Sequence, residues 1–136
     1  MHAISIEDCA SYAGNYFSKN YTVTIPVRPL NGGGHMICLR CSGTQRGYHA
    51  GFLEPGYLSL CKNHFGFETI KKAPFSWELG RTYTLTFSGN GAELAVSVDG
   101  RVLLKTEDSA YAYGMFGCSR LGMGRTWYGN MHVQER

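Results

Sequence analysis

The sharpest chemical pattern in the chain is a pair of short motifs, Cys38-Leu39-Arg40-Cys41 and Cys61-Lys62-Asn63-His64, with 19 residues between them. By number, Cys38, Cys41, Cys61 and His64 match the sulfur and nitrogen donors of a tetrahedral zinc site. Geometry speaks against it. Residues 38 and 41 of a regular strand point to opposite faces, so both thiols reach one ion only if the chain turns between them. Buried cysteine serving as a small apolar side chain is the simpler reading, and the sequence is expected to carry no metal or other cofactor.

Catalysis has a weaker footing. Five Cys and five His offer many thiol–imidazole pairs by chance, and none has a signature spacing. Glu54, Glu68, Glu78 and Glu93 could meet across strands as the paired carboxylates of a glycosidase, but solvated surface acids are the ordinary explanation. No catalytic residue is expected.

Sugar recognition needs an aromatic ring against the apolar face of the sugar and planar polar groups for its hydroxyls. Three clusters combine the two: Arg46-Gly47-Tyr48-His49 with Glu54, Lys62-Asn63-His64, and Arg125-Thr126-Trp127-Tyr128-Gly129-Asn130. Arg40, between two cysteines, could add a hydrogen-bonding fork. The ligand-binding candidates are therefore Arg40, Arg46, Tyr48, His49, Glu54, Asn63, His64, Arg125, Trp127 and Tyr128. Strand alternation groups Tyr48 with Ala50 and Phe52, which inclines Tyr48 to the core, and places His49 on the other face. Trp127 and Tyr128 point oppositely, so one packs inside while the other faces solvent or a ligand.

Strands must carry these residues. Tyr21 to Arg28 alternates strictly, with Tyr21, Val23, Ile25 and Val27 on one face and Thr22, Thr24, Pro26 and Arg28 on the other. Pro26 lacks a ladder donor and so puts one side of this strand at an edge or bulge. Further strands are expected at about His35–Ser42, Gly47–Leu53, Tyr57–Lys62, Phe67–Lys72 and Thr82–Phe87. Asn90-Gly91 closes a hairpin from Tyr83, Leu85 and Phe87 to Leu94, Val96 and Val98. Asp99-Gly100 then turns into Val102–Leu104, and two more strands are expected over Tyr113–Gly117 and Thr126–Val133. The total is about nine or ten short strands, the pattern of a β-sandwich. Only Ser5 to Phe17 has helical spacing, through Ile6, Cys9, Ala10, Ala13 and Phe17. Asn31–Gly34 and Gly117–Gly124 read as turns, since a phosphate cradle lies between a strand and a helix.

Composition agrees. The 136 residues include 18 glycines, 13% aromatics and only 17% charged side chains, which supplies a core and argues against disorder. Residues 1–136 read as one β module without repeat or linker. The net charge of +3 comes with no like-charge block longer than Lys71-Lys72, so nucleic acid is not an expected partner. No apolar run approaches the ~18 residues of a membrane span, and Met1-His2-Ala3-Ile4-Ser5 lacks the start of a signal peptide. The odd cysteine count fits a reducing compartment, and the expected location is cytoplasmic unless a targeting segment has been trimmed.

The segment Trp77 to Thr86, followed by Leu94 to Val98-Asp99-Gly100, resembles the concanavalin A-like lectin/glucanase superfamily, with its laminin G-like jelly rolls. More narrowly, the order of Glu7-Asp8, Tyr21-Thr22-Val23, Arg46-Gly47-Tyr48, Lys62-Asn63, Trp77 to Leu85, Val98-Asp99-Gly100 and Tyr113-Gly114-Met115 resembles the accessory β-sandwich C-terminal to bacterial ADP-ribosylglycohydrolase-like enzymes. The resemblance implies an all-β, antiparallel jelly-roll β-sandwich, with Trp77 plugging it. It implies a noncatalytic carbohydrate-binding-like accessory module, with a glycan or ribose-containing ligand and a hydrolase domain in a longer parent chain or a partner. The rival expectation is a protein-docking or oligomerisation domain without a small ligand. Asp8, Asp99 and Asp108 are the only aspartates, too few for the magnesium carboxylates of the hydrolase core. Galectins share the architecture, but the residues at His35 to Leu39 and Trp77 to Arg81 lack their His-x-Asn-x-Arg and Trp-Gly-x-Glu-x-Arg strands. Glucanases of the superfamily place two glutamates on one strand, a spacing that does not occur here.

Overall fold

The computed structural model describes residues 10–13, 19–42, 46–64, 66–120 and 124–135. Among them are the strands β1 (Ala10–Ala13), β2 (Tyr21–Gly32), β3 (His35–Ser42), β4 (Arg46–Phe52), β5 (Tyr57–Asn63) and β6 (Phe67–Pro74). The remainder are β7 (Tyr83–Asn90), β8 (Glu93–Val98), β9 (Arg101–Glu107), β10 (Met115–Arg120), β11 (Gly124–Tyr128) and β12 (His132–Glu135). They pair antiparallel in two sheets, one ordered β1-β10-β3-β4-β5-β6 and the other β11-β2-β7-β8-β9, with β12 also on β2.

Alternation builds the core. Tyr21, Val23, Ile25 and Val27 of β2 join Tyr83, Leu85 and Phe87 of β7 and Leu94, Val96 and Val98 of β8. These pack against Ile37, Leu39, Tyr48, Ala50, Phe52, Leu58 and Leu60 of the facing sheet. Burial of this apolar surface is the main stabilising term. Two core tyrosines also bridge the sheets by hydrogen bonds: Tyr128 Oη reaches the carbonyls of Met36 (2.8 Å) and Ser119 (2.6 Å), and Tyr21 Oη donates to the Gly114 carbonyl at 2.8 Å while accepting from Arg40 N–H at 2.9 Å.

Pro26 sits where the reading of its missing donor requires. On one side it faces Thr84 of β7; on the other, β11 pairs β2 from Val27 onwards and β12 pairs it only up to Thr24. The gap between β11 and β12 falls at Pro26, whose carbonyl accepts from Gly129 N–H at 2.8 Å. That is also why the single strand expected over Thr126–Val133 is two strands.

The helix expected over Ser5 to Phe17 is corrected where it can be followed. Ala10–Ala13 is an edge strand, paired from Ala10↔Ser119 to Ala13↔Phe116, because the open edge of β10 satisfies backbone groups that a short helix weakened by Gly14-Asn15 would hold poorly. The rest of that segment lies outside the described residues.

In the sheet β1-β10-β3-β4-β5-β6 the central strands β3 and β4 are buried on both faces, whereas the edge strand β6 is mostly exposed. Met36, Cys38, His49, Ser59 and Ser119 are not part of the central core cluster, yet each is 0% exposed. A strand covered on both sides loses its alternation, as the almost uniformly buried β3 shows.

Candidate functional site

One residue shapes the site. Arg40 has φ 53°, and the register of β3 against β4 shifts between Leu39 and Ser42. This bulge supplies the turn that a regular strand would lack, and Cys38 and Cys41 come close enough to shift each other's titration. The neighbouring Cys38 thiol holds the Cys41 thiol down to about 6, opposed by burial and assisted by His49. Burial pushes Cys38 far up. Cys41 Sγ is 3.9 Å from His49 Nε2, and His49 Nδ1 is 2.9 Å from Ser119 Oγ.

The bulge also drives the Arg40 side chain, 1% exposed, into the end of the sandwich. There Nε donates to the Lys19 carbonyl (3.1 Å), Nη1 to the carbonyls of Gly91 (2.7 Å) and Tyr111 (3.2 Å), and Nη2 to Asn20 Oδ1 at 3.4 Å. Gly89 makes room: a Cβ there would lie 3.0 Å from the guanidinium carbon. Burial lowers the Arg40 pKa, and carbonyl dipoles rather than a carboxylate hold the charge.

Next to Arg40 the segment Asp108–Tyr113 crosses the ends of β4 and β5. Tyr48 has its ring in the core and its Oη at the rim, where it donates to Asp108 Oδ1 at 2.5 Å and accepts from Tyr111 N–H at 3.2 Å. Lys62 Nζ pairs with Asp108 Oδ2 at 3.0 Å. Burial alone would raise the Asp108 carboxyl, but the hydrogen bonds from Tyr48, the Ala110 N–H and Lys62 outweigh it and hold it below its ordinary value. Tyr111 Oη then donates to the Asn63 carbonyl at 2.6 Å and lies 3.1 Å from His64 Nδ1.

This chain of contacts presents His64 at the mouth of an open 380 Å³ depression lined by His64, Gly66, Phe67 and Glu68. Phe67 is 39% exposed and rests on His49 with ring centroids 4.9 Å apart. Across Tyr111 lies a smaller 200 Å³ cleft whose lining includes Arg40, Ser42 and Tyr113.

Of the sequence candidates, Arg46, Asn63 and His64 are brought together, since Arg46 opens β4 where Gly47 pairs with Asn63. Tyr48 stands beneath them and Arg40 beside them. His49 is 0% exposed, enclosed beneath the Phe67 ring on the face of the sheet turned away from the core. Glu54 lies at the opposite end of β4 and β5, paired with Lys72 at 3.0 Å. Arg125, Trp127 and Tyr128 belong to the other sheet, where Tyr128 is core and Trp127 carries the Arg28 guanidinium at 5.0 Å. Cys61 contacts Thr69 Oγ1 at 3.6 Å and His64 contacts Tyr111, away from the Cys38–Cys41 pair. Among the described residues no group of three His, Cys, Asp or Glu is placed to hold a metal ion. Phe67, Asp108 and Tyr111 were not foreseen; Tyr111 is 47 residues from His64 and lies in no strand.

No protein-family model matches the chain, and no curated protein sequence matches it. Solved structures do. The carbohydrate binding module CBM66 from Bacillus subtilis superposes with a TM-score of 0.82 at 14% identity, covering 98% of this chain and 96% of that one. The Caenorhabditis elegans galectin LEC-6 gives 0.71 at 15% identity over 98% and 96%. A Bacillus subtilis protein of unknown function with a galectin-like fold gives 0.72 at 14% identity over 98% and 81%. Two antiparallel sheets packed face to face, with these neighbours, make the chain an antiparallel jelly-roll β-sandwich of the concanavalin A-like type.

Proposed function

We propose that this chain is a noncatalytic glycan-binding module whose site is the rim formed by Arg46, Asn63, His64, Phe67, Glu68 and Tyr111. One observation carries the proposal: a half-exposed aromatic ring, Phe67, shares an open depression with His64 and Glu68, the combination that a sugar's apolar face and hydroxyls require. Tyr111 fixes the orientation of His64 through its hydroxyl. The carbohydrate binding module and galectins among the fold neighbours support this class.

In the same proposal the module serves a hydrolase of the ADP-ribosylglycohydrolase type, in a longer chain or as a partner, and takes a ribose-containing or other glycan ligand. The support is the order of sequence signatures. Among the described residues Cys38, Cys41 and Cys61 are buried and in no disulfide, which supports a reducing, cytoplasmic setting.

Calorimetric titration against neutral oligosaccharides, fructans and ADP-ribose tests the proposal, with Phe67→Ala and His64→Ala alongside. Saturable heat that both variants abolish while melting normally is the expected result. Flat traces for every ligand would refute it and favour protein docking.

A further inference from the structure

The face of the β11-β2-β7-β8-β9 sheet turned away from the core is lined with hydroxyls. β2 presents Thr22, Thr24, Pro26 and Arg28 there, and β7 presents Thr84, Thr86 and Ser88, each more accessible than its buried neighbours. Thr24 and Thr86 hydrogen-bond across the strands, Oγ1 to Oγ1, at 3.2 Å. Where β12 flanks β2 the face sinks into an open depression of 370 Å³ lined by Thr22, Thr24, His132, Val133 and Gln134.

The other end of this face is cationic. The Arg28 guanidinium lies 5.0 Å above the Trp127 ring, and its Nε donates to Thr82 Oγ1 at 2.8 Å. A second arginine stands close: Arg125 lies two residues from Trp127 on β11, on the same face by alternation, and is the register partner of Asn31. Both arginines are exposed, and neither joins the ion pairs found among the described residues, which belong to Lys62, Lys72 and Lys105.

We propose that this face binds one chain of an acidic polysaccharide, with its acid groups at Arg28 and Arg125 and its hydroxyls along the threonines of β2 and β7. Among the described residues Arg28 commits only Nε, which leaves its two terminal nitrogens for a two-pronged contact with a carboxylate or sulfate. Stacking on Trp127 fixes the plane of the fork before the ligand arrives. Threonine hydroxyls both donate and accept, as sugar hydroxyls do. Nucleic acid fits less well, because a duplex carries one charge per ~1.7 Å whereas this face has two arginines at one end and uncharged hydroxyls along its length. The surface lies on the sheet that does not carry the His64 rim, so each can fail without the other.

The test is calorimetric titration of the intact chain with polygalacturonate, dextran sulfate, dextran and poly-dT, at low and at physiological salt. The expected result is salt-sensitive binding of polygalacturonate, dextran sulfate or both, with dextran binding at least tenfold weaker; the pattern distinguishes carboxylate from sulfate. Arg28→Gln and Trp127→Ala should each weaken that binding about tenfold with an unchanged melt, and Thr24→Val with Thr86→Val about threefold, while His64→Ala leaves it unaltered. Three results would overturn the proposal: no binding of either acidic polymer, poly-dT binding as tightly as they do, or binding lost in His64→Ala and retained in Arg28→Gln.

Discussion

At one end of the sandwich Phe52, Phe75, Trp77 and Tyr83 pack with ring centroids 5.0 to 5.8 Å apart, whereas at the other Arg40, Tyr48, Lys62, Asp108 and Tyr111 are joined by directional hydrogen bonds. The first is closed by area. His35 caps it edge-on to Trp77 at 5.4 Å, and the Trp77 indole N–H donates to the Glu54 carbonyl at 2.8 Å. The second is closed by matched donors and acceptors. Apolar closure tolerates changes of shape at constant volume, while a buried polar network fails when one member is removed. The polar end is thereby the one that can hold an imidazole and a ring in fixed positions at the surface.

That contrast can be broken by substitution. Phe52→Ala should have the largest effect, a loss of about 3–5 kcal/mol in chemical denaturation, while Phe52→Leu should cost far less. Arg40→Met should cost roughly 2–4 kcal/mol because it strands carbonyl acceptors at the polar end, and Arg40→Lys should recover little, having no planar fork. Equal tolerance of Arg40→Lys and Phe52→Leu would erase the distinction between the ends. Tyr48→Phe keeps the ring and removes the hydroxyl; a loss of about 1–3 kcal/mol, with faster exchange of the Tyr111 amide, is expected.

Smaller effects sharpen the comparison. Asp108 is held below its ordinary value in the folded chain, so its contribution is complete above the unfolded carboxyl range near ~3.9 and is lost as pH falls through the folded value. Wild type and Asp108→Asn should therefore differ in melting temperature at neutral pH and converge in acid. A gap that persists in acid would assign the effect to packing. Asn63→Ala should change stability by no more than about 1 kcal/mol while weakening glycan binding at the rim several-fold; an unchanged affinity would remove Asn63 from the site.

The strand pattern was legible because period-two alternation writes itself into a half-buried strand: Tyr21 to Arg28 reads the same in the sequence and in the structure. Asn90-Gly91 and Asp99-Gly100 fixed two turns for the same local reason. Arg40 was not legible. Its φ depends on β10 and β4 shifting register together at that point, a tertiary condition that no neighbouring residue announces. The spacing argument that separates Cys38 from Cys41 holds for a regular strand, and the bulge at Arg40 is the turn between them that it names as the exception. In the rim, Asn63 and His64 stood out by type, whereas Tyr111 and Asp108 reach them from a segment without periodicity. Glu54 was grouped with Arg46 by nearness in sequence, but a strand carries its two ends apart.

The pairing of β2 bears on how the chain is made. Its neighbours are β7, β11 and β12, and the 50 residues 33–82 separate it from the first of them. At a synthesis rate of ~5–20 residues per second, β2 waits roughly 3–10 s for a partner, while β3 to β6 can pair with each other in the order they emerge. During that interval Tyr21, Val23, Ile25 and Val27 are unburied and the strand has two open edges. The threonines, Pro26 and Arg28 that alternate with them make a poor template for another nascent chain, so the same residues that line the polar outer face of the finished sheet guard the strand before the fold exists.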